Sequence, residues 1–200
     1  KENSNFVADV AEFIRLVYEN YTSKDIMEIG KVLVEFILNL LSNEQSPIYS
    51  TTEIQLYYVL SSIVQIEGYF DQEFYSKLIP LLISKINEST DPGRCKVLAF
   101  IIKNLCNLNE NVIEDQYFQN IITVLSSHFV SHGDISSLSF LNDNIVAALV
   151  ALQSRYRVLE IDAFFKLIQP YLPCTTDDDE FFDIYASLIS FFPFLNLENQ

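Results

Sequence analysis

Helix-start signals recur along this chain at a nearly fixed interval, and that spacing restricts its folds more than any other feature. Alternate starts fall near Pro47, Pro92, Ser136 and Asp177, at intervals of 45, 44 and 41 residues. A unit of that length buries its apolar face only by packing on its neighbours, so the expected architecture is a stack of helical hairpins. The second helix of each pair carries a finer match. Phe74-Tyr75 leads to Leu78 and Leu82, Tyr117-Phe118 to Ile121 and Leu125, and Phe164-Phe165 to Ile168 and Leu172. Pro80 and Pro170 stand at one register of this pattern, which predicts a shared curved helix.

Local signals agree with helices. Apolar residues recur at helical steps in Phe6, Val10, Phe13 and Val17, and again in Ile26, Ile29, Leu33, Phe36, Ile37, Leu40 and Leu41. Further stripes are Leu56, Val59, Leu60 and Ile63; Phe74, Leu78, Leu82 and Ile86; Leu98, Ile101, Ile102 and Leu105; Leu141, Ile145, Leu149 and Leu152; and Phe182, Tyr185, Leu188 and Ile189. Start signals precede them at Thr22, Ser50, Asp71, Asp91-Pro92, Asn111 with Glu114, and Thr176 with Asp179. Gly68 is expected as a C-terminal glycine. The prediction is a single helical-repeat domain over 1–200, four hairpins plus a ninth helix, and it allows for a segment of a longer solenoid.

Half the chain is apolar, and it holds only 4 Gly and 6 Pro. That disfavours turn-rich β folds and folds whose phosphate loops need glycine. Acids outnumber bases 27 to 12, for a net charge of −15. Such a chain repels nucleic acid and anionic membranes, so no direct nucleic-acid binding and no membrane insertion is expected. Cys95, Cys106 and Cys174 form no framework spacing and read as thiols of a reducing compartment, cytoplasmic or nuclear.

The hairpin spacing and the aromatic register resemble the HEAT/armadillo superfamily of α-solenoids, and Asp91-Pro92-Gly93-Arg94 echoes the Asp-then-Arg turn of HEAT repeats. The resemblance implies an all-α right-handed superhelix of antiparallel helical hairpins. It also implies a non-enzymatic binding scaffold or adaptor that holds a protein partner within a larger complex. A narrower reading is a segment resembling an importin-β-like nuclear transport receptor that binds basic cargo.

The net charge and the concave side expected of the second helices point to Glu28, Glu35, Asp71, Glu73, Glu114 and Asp115 as contacts for a basic or extended partner segment. Tyr57, Tyr58, Tyr69 and Tyr75 add candidate interface aromatics, since all four are not expected to face a core. The alternative from another class is an enzyme with a carboxylate and histidine site. His128 and His132 with Asp134 could share a metal only with a further ligand, and Asp177–Glu180 lacks the alternation of a calcium loop. Neither catalytic residues nor a cofactor is expected.

Overall fold

The computed structural model describes residues 24–42, 50–66, 68–130, 139–172 and 182–191, together with Asp9, Phe13, Ile14, Leu16 and Val17, which are helical. The expected bounds of the first helix, the starts at Thr22, Ser136 and Thr176, and His132, Asp134, Cys174 and Asp177–Glu180 lie outside the described residues. After those helical residues, eight α-helices follow among the described residues: α1 Lys24–Ser42, α2 Ser50–Val64, α3 Gln72–Glu88, α4 Pro92–Cys106, α5 Asp115–Ser126, α6 Ser139–Tyr156, α7 Ile161–Ile168 and α8 Phe182–Phe191. A 3₁₀ turn, Gln169–Tyr171, extends α7. No strand occurs among the described residues.

Two starts are built as the sequence predicts. The Asp71 carboxylate accepts from Phe74 N–H at 2.9 Å, and the Asp91 carboxylate accepts from Gly93 N–H at 2.8 Å and from Arg94 N–H at 3.3 Å. Pro92 occupies the first turn of α4, where its missing N–H costs nothing. The α5 start differs. Glu114 holds the N-cap position without a side-chain cap bond, because its carboxylate accepts from Gln72 and Gln116 instead.

The main packing is staggered. Helix α2 packs on α4, α4 on α6 and α6 on α8, while α3 packs on α5, and of the neighbouring pairs α1 with α2, α3 with α4 and α5 with α6 are in contact. Helices of the first row are therefore enclosed on several sides. In α4 the residues Cys95, Val97, Leu98, Ala99, Ile101, Ile102, Leu105 and Cys106 are buried, and in α6 the whole run Ile145–Val150 is buried. A helix apolar nearly all round has to be interior. By contrast α3 buries one face only, through Tyr75, Leu78, Ile79, Leu82 and Ile86.

Hydrogen bonds that reach more than 30 residues along the chain span 33 to 46, and five of them fall at 41 to 43. Glu53 pairs with Arg94 (41 residues apart), Ser61 with Asn104 (43), Gln72 with Glu114 (42), the Ile86 carbonyl with His128 (42), and Ile113 N–H with the Tyr156 hydroxyl (43).

Several expectations are corrected. Pro80 sits on the exposed side of a continuous α3, whereas α7 stops at Ile168 and Pro170 lies in the 3₁₀ turn. The two prolines thus share no helix geometry. Downstream of Pro80 the buried Leu82 and Ile86 hold the helix together, while Leu172 precedes Pro173 and is extended (ψ 149), as a residue before proline prefers. Helix α2 ends at Val64, and Gly68 (φ +66) turns the chain beyond it. Helix α8 buries Leu188 and Phe191, leaving Ile189 exposed. Phe13, Ile29 and Phe36, expected in apolar stripes, are exposed, while Ile37 and Leu41 of the expected stripe are buried and Ile14 and Val34 join them inward.

Tyr57, Tyr69 and Tyr75 are buried, so these three are not free interface aromatics, and Tyr58 is half-buried against the core. The Tyr57 hydroxyl donates to Glu53 at 3.0 Å and the Tyr69 hydroxyl accepts from Lys31 N–H at 3.0 Å. A polar end that finds a partner removes the penalty for burying the ring.

Candidate functional site

The helix dipole favours acids where α3 and α5 begin, and both starts carry them. Asp71 and Glu73 open α3, and Glu114 and Asp115 open α5. Gln72 joins the two groups, its Nε2–H donating to the Val112 carbonyl and to the Glu114 carboxylate, each at 3.4 Å. Asp115 is exposed beside it. On α1, Glu28 and Glu35 are exposed and Lys31 stands between them.

These acids converge on two groups. Glu73 accepts from the Lys77 ammonium at 2.7 Å, and that bond and its charge raise the lysine pKa, with smaller pushes from Asp71 and Glu35. Burial raises the Tyr69 pKa, opposed by the bond from Lys31 N–H and reinforced by the charge of Glu28. Glu28, Glu35, Asp71 and Glu73 therefore gather where α1 meets the start of α3, and Glu114 with Asp115 extends the acidic edge to α5.

A cleft of about 340 Å³ opens in that gathering, lined by Lys31, Glu35, Gly68, Tyr69, Phe70, Asp71 and Phe74. Its aromatic wall is well ordered by stacking, with the Phe70 and Phe74 rings 3.9 Å apart and 18° from parallel. Lys31 Nζ lies 5.0 Å from the centre of the Tyr69 ring. Aromatic faces beside carboxylates suit a cationic side chain. Sequence reasoning identified the acids here and the terminal glycine but missed Lys31 and Phe70; the Phe70–Phe74 spacing of one helical turn was the available signal. It also passed over Glu110, whose charge adds to the burial that raises Tyr75 to a pKa of about 12.

A second hollow, about 290 Å³, lies over the enclosed row and is lined by Gln65, Phe100, Lys103, Asn104, Asn107, Ala147, Val150, Ala151, Ser154 and Ser187. It contains no acid. A third, about 860 Å³, opens between the end of α6, the start of α7 and α8, where Arg157, Glu160 and Asp162 stand with Ser154, Ser187 and Ser190.

His128 is committed to the fold. Its Nε2–H donates to the Ile86 carbonyl at 2.8 Å, which leaves Nδ1 facing the Cys95 thiol at 3.5 Å. Burial pushes the Cys95 and Cys106 thiols up, away from the thiolate. Among the described residues, no group of three or more His, Cys, Asp or Glu is placed to hold a metal, and no helix is long and apolar enough to cross a membrane.

No family model, curated protein or solved structure matches this chain.

Proposed function

We propose that the chain is a protein-binding scaffold of the HEAT/armadillo-like kind, a right-handed superhelix of antiparallel hairpins whose acidic edge holds a basic partner segment. The observation that carries this reading is the edge itself: carboxylates of α1, α3 and α5 gathered along one side, with an aromatic-walled cleft among them. Staggered packing and hydrogen bonds about 42 residues apart support the hairpin stack behind it. An elongated stack offers rigid surface for an extended partner. The free thiols Cys95 and Cys106 fit a cytoplasmic or nuclear setting.

The test is affinity capture from cell extract at low and physiological salt. The bait is compared with a variant carrying Asp71→Asn, Glu73→Gln, Glu114→Gln and Asp115→Asn. A basic partner lost both with rising salt and in the variant supports the acidic edge. A stoichiometric partner retained by the variant at all salt concentrations refutes it.

A further inference from the structure

Helix α1 presents three different faces. Val34, Ile37 and Leu41 turn into the core. Glu28, Lys31 and Glu35 lie on the side that meets Tyr69 and the start of α3. The remaining side carries Ile29, Val32 and Phe36, with exposures of 63%, 69% and 57%. At spacings of three and four these form one stripe, about two turns long. Leu33 and Leu40, half-buried against the core, join it to the interior. Helix α3, by comparison, turns Glu73, Lys77 and Ser84 outward.

An apolar helix face left open to water in this way is costly, and its area, on the order of 400 Å², is that of an interaction patch. Charge decides between occupants. Glu28 and Glu35 lie one turn to either side of Val32, with Lys31 between them, and give the stripe a net acidic border. Two copies meeting through this face would oppose those carboxylates with their own likeness, and each copy carries −15. A helix whose apolar stripe is flanked by lysine or arginine matches both features.

We infer that the Ile29–Val32–Phe36 face of α1 docks a basic amphipathic helix of a partner protein. The inference rests on the scaffold reading and names the chemistry of one partner element. Its apolar anchors are Val32 and Phe36, and its charged anchors are Glu28 and Glu35.

The probe is a synthetic helical peptide with leucines at i, i+3, i+4 and i+7 and lysines along the flanks. Its binding to the full chain is followed by fluorescence anisotropy. Saturable binding is expected, weakened about tenfold by Val32→Ser with Phe36→Ser and about threefold by Glu28→Gln with Glu35→Gln. All four side chains are exposed, and circular dichroism checks that the variants fold. Ile189→Ser, at an exposed apolar residue of α8, should leave binding unchanged. Three results overturn the inference: no binding, equal binding by Val32→Ser/Phe36→Ser, or equal binding of a peptide with glutamates in place of lysines. Sedimentation adds a fourth, a dimer that the serine variant dissociates, which would make a second copy the occupant. The α3 and α5 substitutions of the capture experiment lie outside this face, so loss of one result leaves the other interpretable.

Discussion

Arg94 Nη1 lies 2.9 Å from Glu53 Oε2, and this pair bolts α4 to α2 with both side chains mostly out of water. Ser89 Oγ accepts from the same guanidinium at 3.0 Å, and the Tyr57 hydroxyl donates to the other carboxylate oxygen. The burial that Tyr57 shares with Glu53 raises the phenol pKa, with the glutamate charge adding to it. Removing one partner strands the other charge. Arg94→Ala is expected to cost about 3 kcal/mol, while Glu53→Met with Arg94→Met should recover at least half of that loss. Urea unfolding of the single and the double variant measures it.

Asn142 imitates a backbone. Its Oδ1 accepts from Val130 N–H at 2.9 Å and its Nδ2–H donates to the Val130 carbonyl at 3.0 Å, tying the end of the α5 segment to α6. Gln153 does the same for Leu159, at 3.0 and 2.8 Å. Asn142→Leu keeps the volume and leaves both Val130 groups without that partner, at an expected cost of about 2 kcal/mol. Amide hydrogen exchange at Val130 should accelerate in that variant, and exchange at Leu159 should not.

Gly68 has φ +66, and a Cβ added there would meet nothing within 4 Å. Any loss on substitution therefore comes from the backbone and not from a clash. Gly68→Ala should lower stability by about 1 kcal/mol and Gly68→Asn by less, because asparagine tolerates the left-handed region. Thermal unfolding of the pair separates the two effects.

Burial raises the Tyr75 pKa from 10.0 to about 12, with the Glu110 charge adding to it. The native state therefore keeps a proton that the unfolded chain releases. Its contribution is complete below pH 10 and is lost as pH rises toward 12, at up to about 1.4 kcal/mol per pH unit. Stability should fall across that window, and Tyr75→Phe should flatten the fall. Urea midpoints from pH 8 to pH 12 give the comparison.

The same sign holds for the thiols. Cys95 and Cys106 are buried with raised pKa values, so at pH 8 both should react with a maleimide only through opening of the fold. Peptide mapping should find them unlabelled under native conditions and labelled in urea; native labelling of Cys106 would contradict the packing of α4.

Much of the architecture was readable because it is written in local chemistry. The caps at Asp71 and Asp91-Pro92 and the stripes of α2 and α4 are short-range patterns, and each is built as expected. The tyrosines were misjudged for a different reason. Whether Tyr57 or Tyr69 enters a core depends on Glu53 one turn away and on a backbone N–H of α1, a partnership that periodicity does not carry. Helix α1 shows the complementary failure: Ile29 and Phe36, counted in its apolar stripe, are exposed, so the pattern overstates its burial. The acids of α3 and α5 share an edge by virtue of starting helices. That Glu28 and Glu35 join them follows only from how α1 leans on Tyr69.

The hydrogen bonds that join these elements have a kinetic consequence. Those that reach more than 30 residues along the chain close loops of 33 to 46 residues. Loop-closure entropy grows only with the logarithm of length, so each junction starts from nearly the same disadvantage. Assembly has no preferred first junction on that account and no late step in which distant ends must meet. The chain is expected to nucleate wherever side-chain packing is densest, at α4 against α6, and to grow outward in both directions.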